Sequence, residues 1–217
     1  MLGSGLRAVV FDLDGTLVDT LADVAFAMNE ALAARGHVTH PLASYRAWIG
    51  GGAADLARRA TPDEDELEGA RVLGVFRERY AERLVVESRP YPGIDDALAR
   101  LASRGLALAV LSNKPDEPTR RLVDTVFPGR FAEICGQRDG VPKKPDPTAL
   151  FAVAARLGVR ASELAMVGDS AIDVETAKRA GAFAIGVAWG YRPERELREA
   201  GADRVLAAPA DLIAALG

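Results

Sequence analysis

Four short segments of the sequence carry residue types that could do chemistry. They read DLDGT (residues 12–16), LSNK (111–114), KKPDP (143–147) and VGDSAIDV (167–174). The first and the last each place a pair of aspartates at the end of an apolar run, and the middle two offer a hydroxyl group and lysines. Carboxylates of this kind are suited to holding a hard divalent cation together with a phosphate group.

Four carboxylates in one crevice would repel one another strongly. Two like charges about 4 Å apart repel by roughly 4 kcal/mol at an effective dielectric constant near 20. Several such pairs approach the whole stability of a domain, which is about 5–15 kcal/mol. A divalent cation removes this cost, and carboxylate oxygens without thiols or histidines are the ligand set that suits Mg²⁺. We therefore expect Mg²⁺ as the cofactor.

Each segment also has a plain structural interpretation when it is taken alone. Asp-X-Asp-Gly is a common turn sequence, because aspartate and glycine both favour turns. The remaining residues have equally ordinary roles as loop starts, helix caps or surface charges: Ser112, Asn113, Lys143, Lys144, Asp169 and Asp173. The presence of all four segments, each at the end of a predicted strand, favours one functional site over four unrelated features.

The elements that must position these segments alternate between strands and helices. Apolar strand patterns lie at residues 7–11, 106–111, 164–167 and 183–188, with weaker ones at 132–135 and 204–206. Helical patterns lie at residues 94–104, 148–157 and 171–180, and a glycine follows each of them. This alternation predicts an α/β fold with a doubly wound, parallel, Rossmann-like sheet. Ligands bind such sheets at the carboxyl ends of the strands.

Residues 20–85 interrupt this alternation. One apolar helix face recurs from Leu21 to Leu32, and Thr61-Pro62-Asp63-Glu64 predicts the start of a second, long helix that continues through Leu84. We find no convincing strand pattern in this region. We therefore predict an inserted α-helical cap domain at residues 19–87, and an α/β core formed by residues 1–18 and 88–217.

The composition of the chain limits the classes of function. The net charge is −4 and no basic run is present, so neither nucleic acid nor an anionic membrane is an expected partner. A zinc site or disulfide framework is not expected either, because Cys135 is the single cysteine and His37 and His40 are the only histidines. The apolar run before Asp12 is too short for a signal peptide or a membrane span. We expect a cytoplasmic protein.

Together the four segments resemble the motifs of the haloacid-dehalogenase-like superfamily of phosphotransferases. The matching residues are Asp12-Leu13-Asp14-Gly15-Thr16, Ser112, Lys144 and Gly168-Asp169-Ser170-X-X-Asp173. The resemblance covers essentially the whole chain, and residues 20–85 match the small helical cap of one subclass. It implies that Asp12 attacks phosphorus to form an aspartyl-phosphate, while Asp14 protonates the leaving alcohol and then activates water.

The same resemblance implies how the metal and the phosphate are held. Mg²⁺ would be bound by the Asp12 carboxylate, the Asp14 backbone carbonyl and Asp169, with Asp173 orienting this shell. The groups assigned to the phosphate are the Ser112 side chain, the Asn113 backbone N–H and the loop at Gly15 and Thr16. Lys144 would neutralise developing charge; Lys143 is the alternative, but the family's Lys-Pro-X-Pro pattern falls on Lys144.

Within the superfamily, WIGGGAADL (48–56), SNKP (112–115), KKPDP and GDSAIDVETAKRAG (168–181) look most like phosphoglycolate phosphatases. This predicts Mg²⁺-dependent hydrolysis of a small phosphorylated metabolite, 2-phosphoglycolate, to glycolate and phosphate. A sugar phosphate, a nucleotide or pyrophosphate remain alternative substrates. The glycine-rich cap motif disfavours a β-phosphoglucomutase-like phosphomutase. The chain length, the insertion and the second aspartate disfavour a phospho-accepting receiver domain. The oligomeric state stays open.

In this interpretation the cap selects the substrate. A glycine-rich loop would approach the substrate closely, or would merely join two cap helices. Trp48 is expected in the cap core rather than at the substrate. The candidate contacts are Gly50, Gly51 and Gly52, with Arg46 or Arg58 nearby.

Overall fold

A parallel sheet lies at the centre of the molecule. The structure is a computed structural model that describes residues 5–62 and 65–216. Its strands are β1 (Ala8–Phe11), β2 (Val18–Asp19), β3 (Arg89–Pro90), β4 (Ala107–Pro115), β5 (Glu133–Gln137), β6 (Leu164–Gly168), β7 (Phe183–Val187) and β8 (Arg204–Leu206). Six of them form the main sheet in the order β5-β4-β1-β6-β7-β8, with parallel pairing throughout. The short β2 and β3 pair with each other in antiparallel orientation.

Helices connect the strands and cover the sheet. They are α1 (Leu21–Ala34), α2 (Leu42–Trp48), α3 (Ala53–Ala60), α4 (Glu66–Arg83), α5 (Ile94–Ser103), α6 (Asp116–Val126), α7 (Thr148–Leu157), α8 (Ala171–Ala180), α9 (Glu194–Glu199) and α10 (Leu212–Ala215). None of these described helices combines the length and the apolar character needed to span a membrane.

Both faces of the sheet are packed, as expected for a doubly wound fold. Every residue of β1 is fully buried, and its side chains alternate between two apolar clusters. Helices α5, α6 and α10 contribute to the cluster on the side of Phe11, and α7, α8 and α9 to the one on the side of Val10. A strand buried on both faces explains the continuous apolar run that precedes Asp12.

The predicted parallel α/β fold is confirmed. All six strand patterns correspond to strands of the main sheet, although β4 continues to Pro115, beyond the apolar run that predicted it. The segment carrying Ser112 and Asn113 is therefore the end of this strand. In the core, helices α6, α9 and α10 have no counterpart among the predicted elements.

Four helices, α1 to α4, lie between β2 and β3, and we refer to them as the cap. The start predicted for the long cap helix is wrong: α4 begins at Glu66, and the Asp65 side chain caps it by accepting from the Glu68 N–H at 2.8 Å. Residues 63–64 of the predicted capping box lie outside the described residues. The cap packs directly on the sheet, because its apolar residues belong to the same cluster as Phe11. The domain boundaries at residues 18/19 and 87/88 stay a prediction.

Candidate active site

Three neighbouring strands end at the same edge of the sheet. Phe11, the last residue of β1, is in register with β4 on one side and β6 on the other. The chain leaves these strands side by side, so Asp12, Ser112 and Asp169 come to one edge, where all three are buried. Asp12 remains attached to β6, because its backbone N–H donates to the Val167 carbonyl at 2.9 Å.

A buried lysine joins two of the aspartates. Lys144 Nζ donates to Asp12 Oδ1 at 2.8 Å, to Asp173 Oδ1 at 2.7 Å and to the Leu111 carbonyl at 2.9 Å. These contacts use all three N–H groups of the ammonium. Burial opposes the charged form of Lys144, but the two carboxylates outweigh it and raise the pKa of Lys144 above its usual value. The ammonium is therefore charged at neutral pH.

Asn113 positions the backbone at Lys144. Its Oδ1 accepts from the Lys144 N–H at 2.9 Å, and its Nδ2 donates to the carbonyls of Lys144 at 3.1 Å and Gly50 at 3.0 Å. The Asn113 side chain thus ties the lysine loop to the cap. The neighbouring Lys143 is exposed and donates to the Gly51 carbonyl at 3.3 Å. Of the two candidate lysines, the structure brings Lys144 into the aspartate cluster.

Three buried aspartates form a potential metal site. Asp12, Asp169 and Asp173 each offer one carboxylate oxygen, and these oxygens lie within 4.8 Å of one another. Burial is the largest cause that raises the pKa of Asp169 to about 8, and the other two carboxylates add to it. Burial also raises the pKa of Asp12 to about 6, although the nearby ammonium partly offsets this. A set of hard oxygen donors that resist ionisation in the absence of a cation fits Mg²⁺.

One carboxylate oxygen of Asp169 has few contacts with other protein groups and is therefore available to a metal ion. The Tyr191 backbone N–H donates to Asp169 Oδ2 at 2.6 Å, whereas among the described residues Asp169 Oδ1 accepts only from the Thr16 hydroxyl, at 3.5 Å. Gly15 packs closely against this carboxylate, since an added Cβ would lie 2.5 Å from Asp169 Oδ2, and its φ of +86° also favours glycine. The predicted phosphate contacts Gly15 and Thr16 therefore border Asp169.

Asp14 belongs to a different cluster from the other three aspartates. Lys114 Nζ donates to Asp14 Oδ1 at 2.9 Å and Oδ2 at 3.0 Å, and Thr20 Oγ1 donates to Asp14 Oδ1 at 2.8 Å. Burial opposes the charged form of Lys114, but the Asp14 carboxylate outweighs it and raises the pKa of Lys114. This ion pair fixes the Asp14 side chain. Any metal contact of Asp14 would therefore be through its backbone carbonyl, as the resemblance implies.

A cavity of about 210 Å³ opens above Asp12 and Asp14, between the sheet edge and the cap. Ser112, Asn113 and Lys114 line it from the sheet side. Much of the remaining wall is apolar and comes from the cap and from the start of α6: Val24, Ile49, Ala53, Leu56, Phe76, Tyr80, Ala81, Pro115 and Pro118. The volume suits a small substrate, and the apolar wall limits the access of water to the aspartates.

The glycine-rich cap loop reaches this cavity, whereas the predicted arginine contacts do not. Gly50 and Gly52 line the cavity, whereas Gly51, the third predicted glycine contact, does not. A Cβ at Gly52 would lie 2.7 Å from the Asn113 carbonyl. Arg46 instead donates to the Gly190 carbonyl at 3.2 Å and lies over the Tyr191 ring. Arg58 pairs with Asp55 at 2.6 Å on the surface of α3. Trp48 packs against His40 and Tyr45 within the cap, as expected.

The prediction omitted four cavity residues with polar groups: Lys114, Arg77, Tyr80 and Glu117. Lys114 could not be assigned to β4 from the sequence, because the apolar run that predicts this strand ends at Leu111, whereas the strand continues for four more residues. Arg77 and Tyr80 lie three residues apart on α4, and helical spacing could have placed them on one face. Which face of α4 meets the sheet edge depends on the packing of the cap, which the local pattern does not show.

Comparison with known proteins identifies the family of this chain. The family model of haloacid dehalogenase-like hydrolases matches residues 6–181. A phosphoglycolate phosphatase from Pseudomonas syringae pv. tomato is 40% identical over 203 residues, which cover 89% of this chain and 73% of the relative. One from Yersinia pseudotuberculosis is 36% identical over 217 residues, covering 98% and 94%. The crystal structure of a predicted phosphoglycolate phosphatase from Haemophilus somnus is 28% identical, with a TM-score of 0.92 and 99% coverage of both chains.

The chain belongs to the haloacid dehalogenase-like hydrolase family, because the family model matches most of its length. Within that family it is a phosphatase, that is, a phosphoric monoester hydrolase. The predicted superfamily and enzyme class are thereby confirmed.

Proposed function

We propose that the chain is a Mg²⁺-dependent phosphatase of 2-phosphoglycolate, which it hydrolyses to glycolate and phosphate through an aspartyl-phosphate at Asp12. The observation that carries the proposal is the position of Asp12 and Asp14 on the floor of one small cavity, each held by its own buried lysine. The substrate follows from the relatives, since phosphoglycolate phosphatases 36–40% identical to this chain match most of its length.

Asp12 is the nucleophile in this proposal. Lys144 occupies Asp12 Oδ1, so Oδ2 is the oxygen that attacks phosphorus while the ester P–O bond breaks. Asp14 enters the reaction protonated, gives its proton to the departing glycolate oxygen and regains one from water as that water attacks the phosphorus of the aspartyl-phosphate. The second attack releases phosphate and restores the Asp12 carboxylate. Because Lys114 and Thr20 hold the Asp14 carboxyl, it stays in place through both proton transfers.

The metal ligands of this proposal are the carboxylates of Asp12 and Asp169 and the Asp14 backbone carbonyl, with Asp173 supporting them. When bound, Mg²⁺ supplies positive charge that neutralises the phosphate and the buried carboxylates together. Asp173 is well placed for its supporting role, since one of its oxygens accepts from Lys144 and the other from the Ser170 hydroxyl at 2.6 Å.

The remaining polar groups bind and enclose the substrate. Ser112, the Asn113 backbone N–H, Gly15 and Thr16 contact the phosphate, and Gly50 and Gly52 close the cavity from the cap. Arg46 and Gly51 are not among the contacts, because neither residue lines the cavity. A cytoplasmic location and the absence of nucleic-acid or membrane partners stay predictions.

A substrate comparison tests this function. With Mg²⁺ present, kcat/KM for 2-phosphoglycolate should exceed the values for sugar phosphates, nucleotides and pyrophosphate by tenfold or more. Asp12→Asn should abolish turnover of every substrate while the protein stays folded, because the amide removes the attacking oxygen and keeps the shape. A higher kcat/KM for another ester would replace the proposed substrate. Full activity of the Asp12→Asn variant would remove the proposed nucleophile.

A further inference from the structure

One cation in the cavity has no role in the proposed reaction. Arg77 of α4 lines the cavity, and among the described residues its guanidinium forms neither a hydrogen bond nor an ion pair. Its neighbours on the same helix are paired, since Arg79 contacts Glu82 at 3.5 Å and Arg83 contacts Asp23 at 3.7 Å. An arginine without a counterion beside a cavity is available to an anionic ligand.

A buried hydroxyl lies three residues further along the helix. Tyr80 is 5% exposed and lines the cavity, and its hydroxyl has no hydrogen-bond partner among the described residues. Burial raises the pKa of Tyr80 to about 12, so the group remains a neutral donor. A buried hydroxyl without a partner costs free energy, and a ligand that accepts its hydrogen bond would remove that cost.

A second cation lies beneath the same ring. Lys114 Nζ is 4.6 Å from the centre of the Tyr80 ring, and it directs at most two of its three N–H groups to Asp14. Arg77 and Tyr80 share one face of α4, because residues three apart are neighbours on a helix. Two cations and a neutral donor therefore line the cavity beside the carboxylates of its floor. Glu117 also lines it, but this side chain is 73% exposed and pairs with Arg121 at 3.9 Å.

We propose that Arg77, Tyr80 and Lys114 form a subsite for a carboxylate on the substrate. The subsite selects phosphate monoesters that carry a carboxylate close to the ester oxygen, because the cavity is too small to separate the two groups widely. This inference rests on the proposed function and deepens it, since it assigns the residues that would distinguish 2-phosphoglycolate from uncharged esters. Burial strengthens the attraction at Lys114 and Tyr80, whereas Arg77 is an exposed residue whose charge water partly screens.

The test compares two substrates that differ only at the carboxylate. We would measure phosphate release from 2-phosphoglycolate and from ethyl phosphate, which has a methyl group in place of the carboxylate. In Arg77→Gln the ratio of the two kcat/KM values should fall about 10- to 100-fold, mainly through KM for 2-phosphoglycolate, as expected for loss of a charge-assisted contact. Arg77→Lys should restore part of this ratio, and Tyr80→Phe should lower it several-fold.

Arg79→Gln is the matched control, since it removes an exposed arginine from the same helix outside the cavity. It should leave the ratio unchanged. The subsite is refuted if the native enzyme prefers 2-phosphoglycolate but Arg77→Gln keeps that preference, or if both arginine variants lower it equally. A native enzyme that hydrolyses both esters equally well would instead refute the proposed substrate, and the subsite with it.

Discussion

Lys144→Met should destabilise the protein strongly, because it leaves two buried carboxylates without their cation. The ammonium is 3% exposed and contacts Asp12 and Asp173 at 2.8 and 2.7 Å. Removing one partner of a buried ion pair costs about 3–5 kcal/mol, since the remaining charge stays desolvated. A domain of this kind has about 5–15 kcal/mol in total. We expect the free energy of unfolding of the metal-free protein to fall by about 3–5 kcal/mol, measured by urea denaturation at pH 7.5.

Catalysis should fall in the same variant. In the proposed mechanism Lys144 holds the nucleophile and contributes positive charge beside the phosphate, and loss of one such group typically lowers kcat by about 10²–10³. Burial raises the pKa of Asp12 to about 6, so protonation of this carboxylate would relieve the repulsion, and the destabilisation should shrink as the pH is lowered towards 5. The pH dependence of the effect separates lost charge compensation from lost packing, because methionine keeps most of the side-chain volume.

Lys143→Met provides the matched control. The two lysines are adjacent in sequence, but Lys143 is exposed and only its contact with the Gly51 carbonyl is lost. We expect a stability change below about 1 kcal/mol, as for surface substitutions in general. Equal destabilisation by the two variants, or a Lys144→Met protein as stable as the native one, would refute this account of the aspartate cluster.

Three further predictions concern the neighbourhood of the site. Gly15→Ala should lower stability in thermal unfolding by about 2 kcal/mol more than Gly105→Ala. Both glycines have positive φ, but only at Gly15 would the added Cβ clash, with the Asp169 carboxylate. Equal losses of stability in the two variants would contradict this reasoning. Asp23 is fully buried and accepts hydrogen bonds from three backbone N–H groups where the chain returns from the cap. Asp23→Ala should therefore lower the free energy of unfolding by about 3 kcal/mol or more in urea denaturation. An unchanged denaturation midpoint would show that these hydrogen bonds do not stabilise the fold. In the metal-free protein the raised pKa values of Asp12 and Asp169 mean that stability falls as the pH rises through about 6 and 8. The increase in Tm on adding Mg²⁺ should therefore grow between pH 5.5 and 8.5; an increase independent of pH would argue against metal binding at these carboxylates.

The parallel sheet could be predicted because each of its strands is marked by a local pattern of apolar residues. Buried strands such as β1 and β6 are continuous apolar runs, and the glycines that end α5, α7 and α8 mark the boundaries of those helices. Once the strands are parallel, their order along the chain is enough to bring the aspartate segments to one edge. The aspartate cluster is therefore a consequence of topology that the sequence already contains.

The cavity wall could not be predicted in the same way. Lys114 is part of a polar extension of β4 without an apolar pattern, and its pairing with Asp14 spans 100 residues. The roles suggested for Arg46 and Arg58 followed from proximity in sequence to the glycine loop, but the packing of α2 and α3 directs both side chains elsewhere. Contacts between the cap and the sheet depend on how the cap helices pack against the sheet. The pattern of residues within each helix or strand does not specify that packing.

In the proposed mechanism Asp12 receives the phosphoryl group, and every other residue role depends on this step. Asp14→Asn offers the sharpest test, because the variant should still attack p-nitrophenyl phosphate, whose leaving group needs no proton, but should then fail to activate water. In the presence of Mg²⁺ we predict a burst of about one equivalent of nitrophenolate, and mass spectrometry of the acid-quenched protein should find one phosphoryl group on Asp12. Steady turnover without a burst or adduct, or a phosphoryl group on another residue, would contradict the central claim.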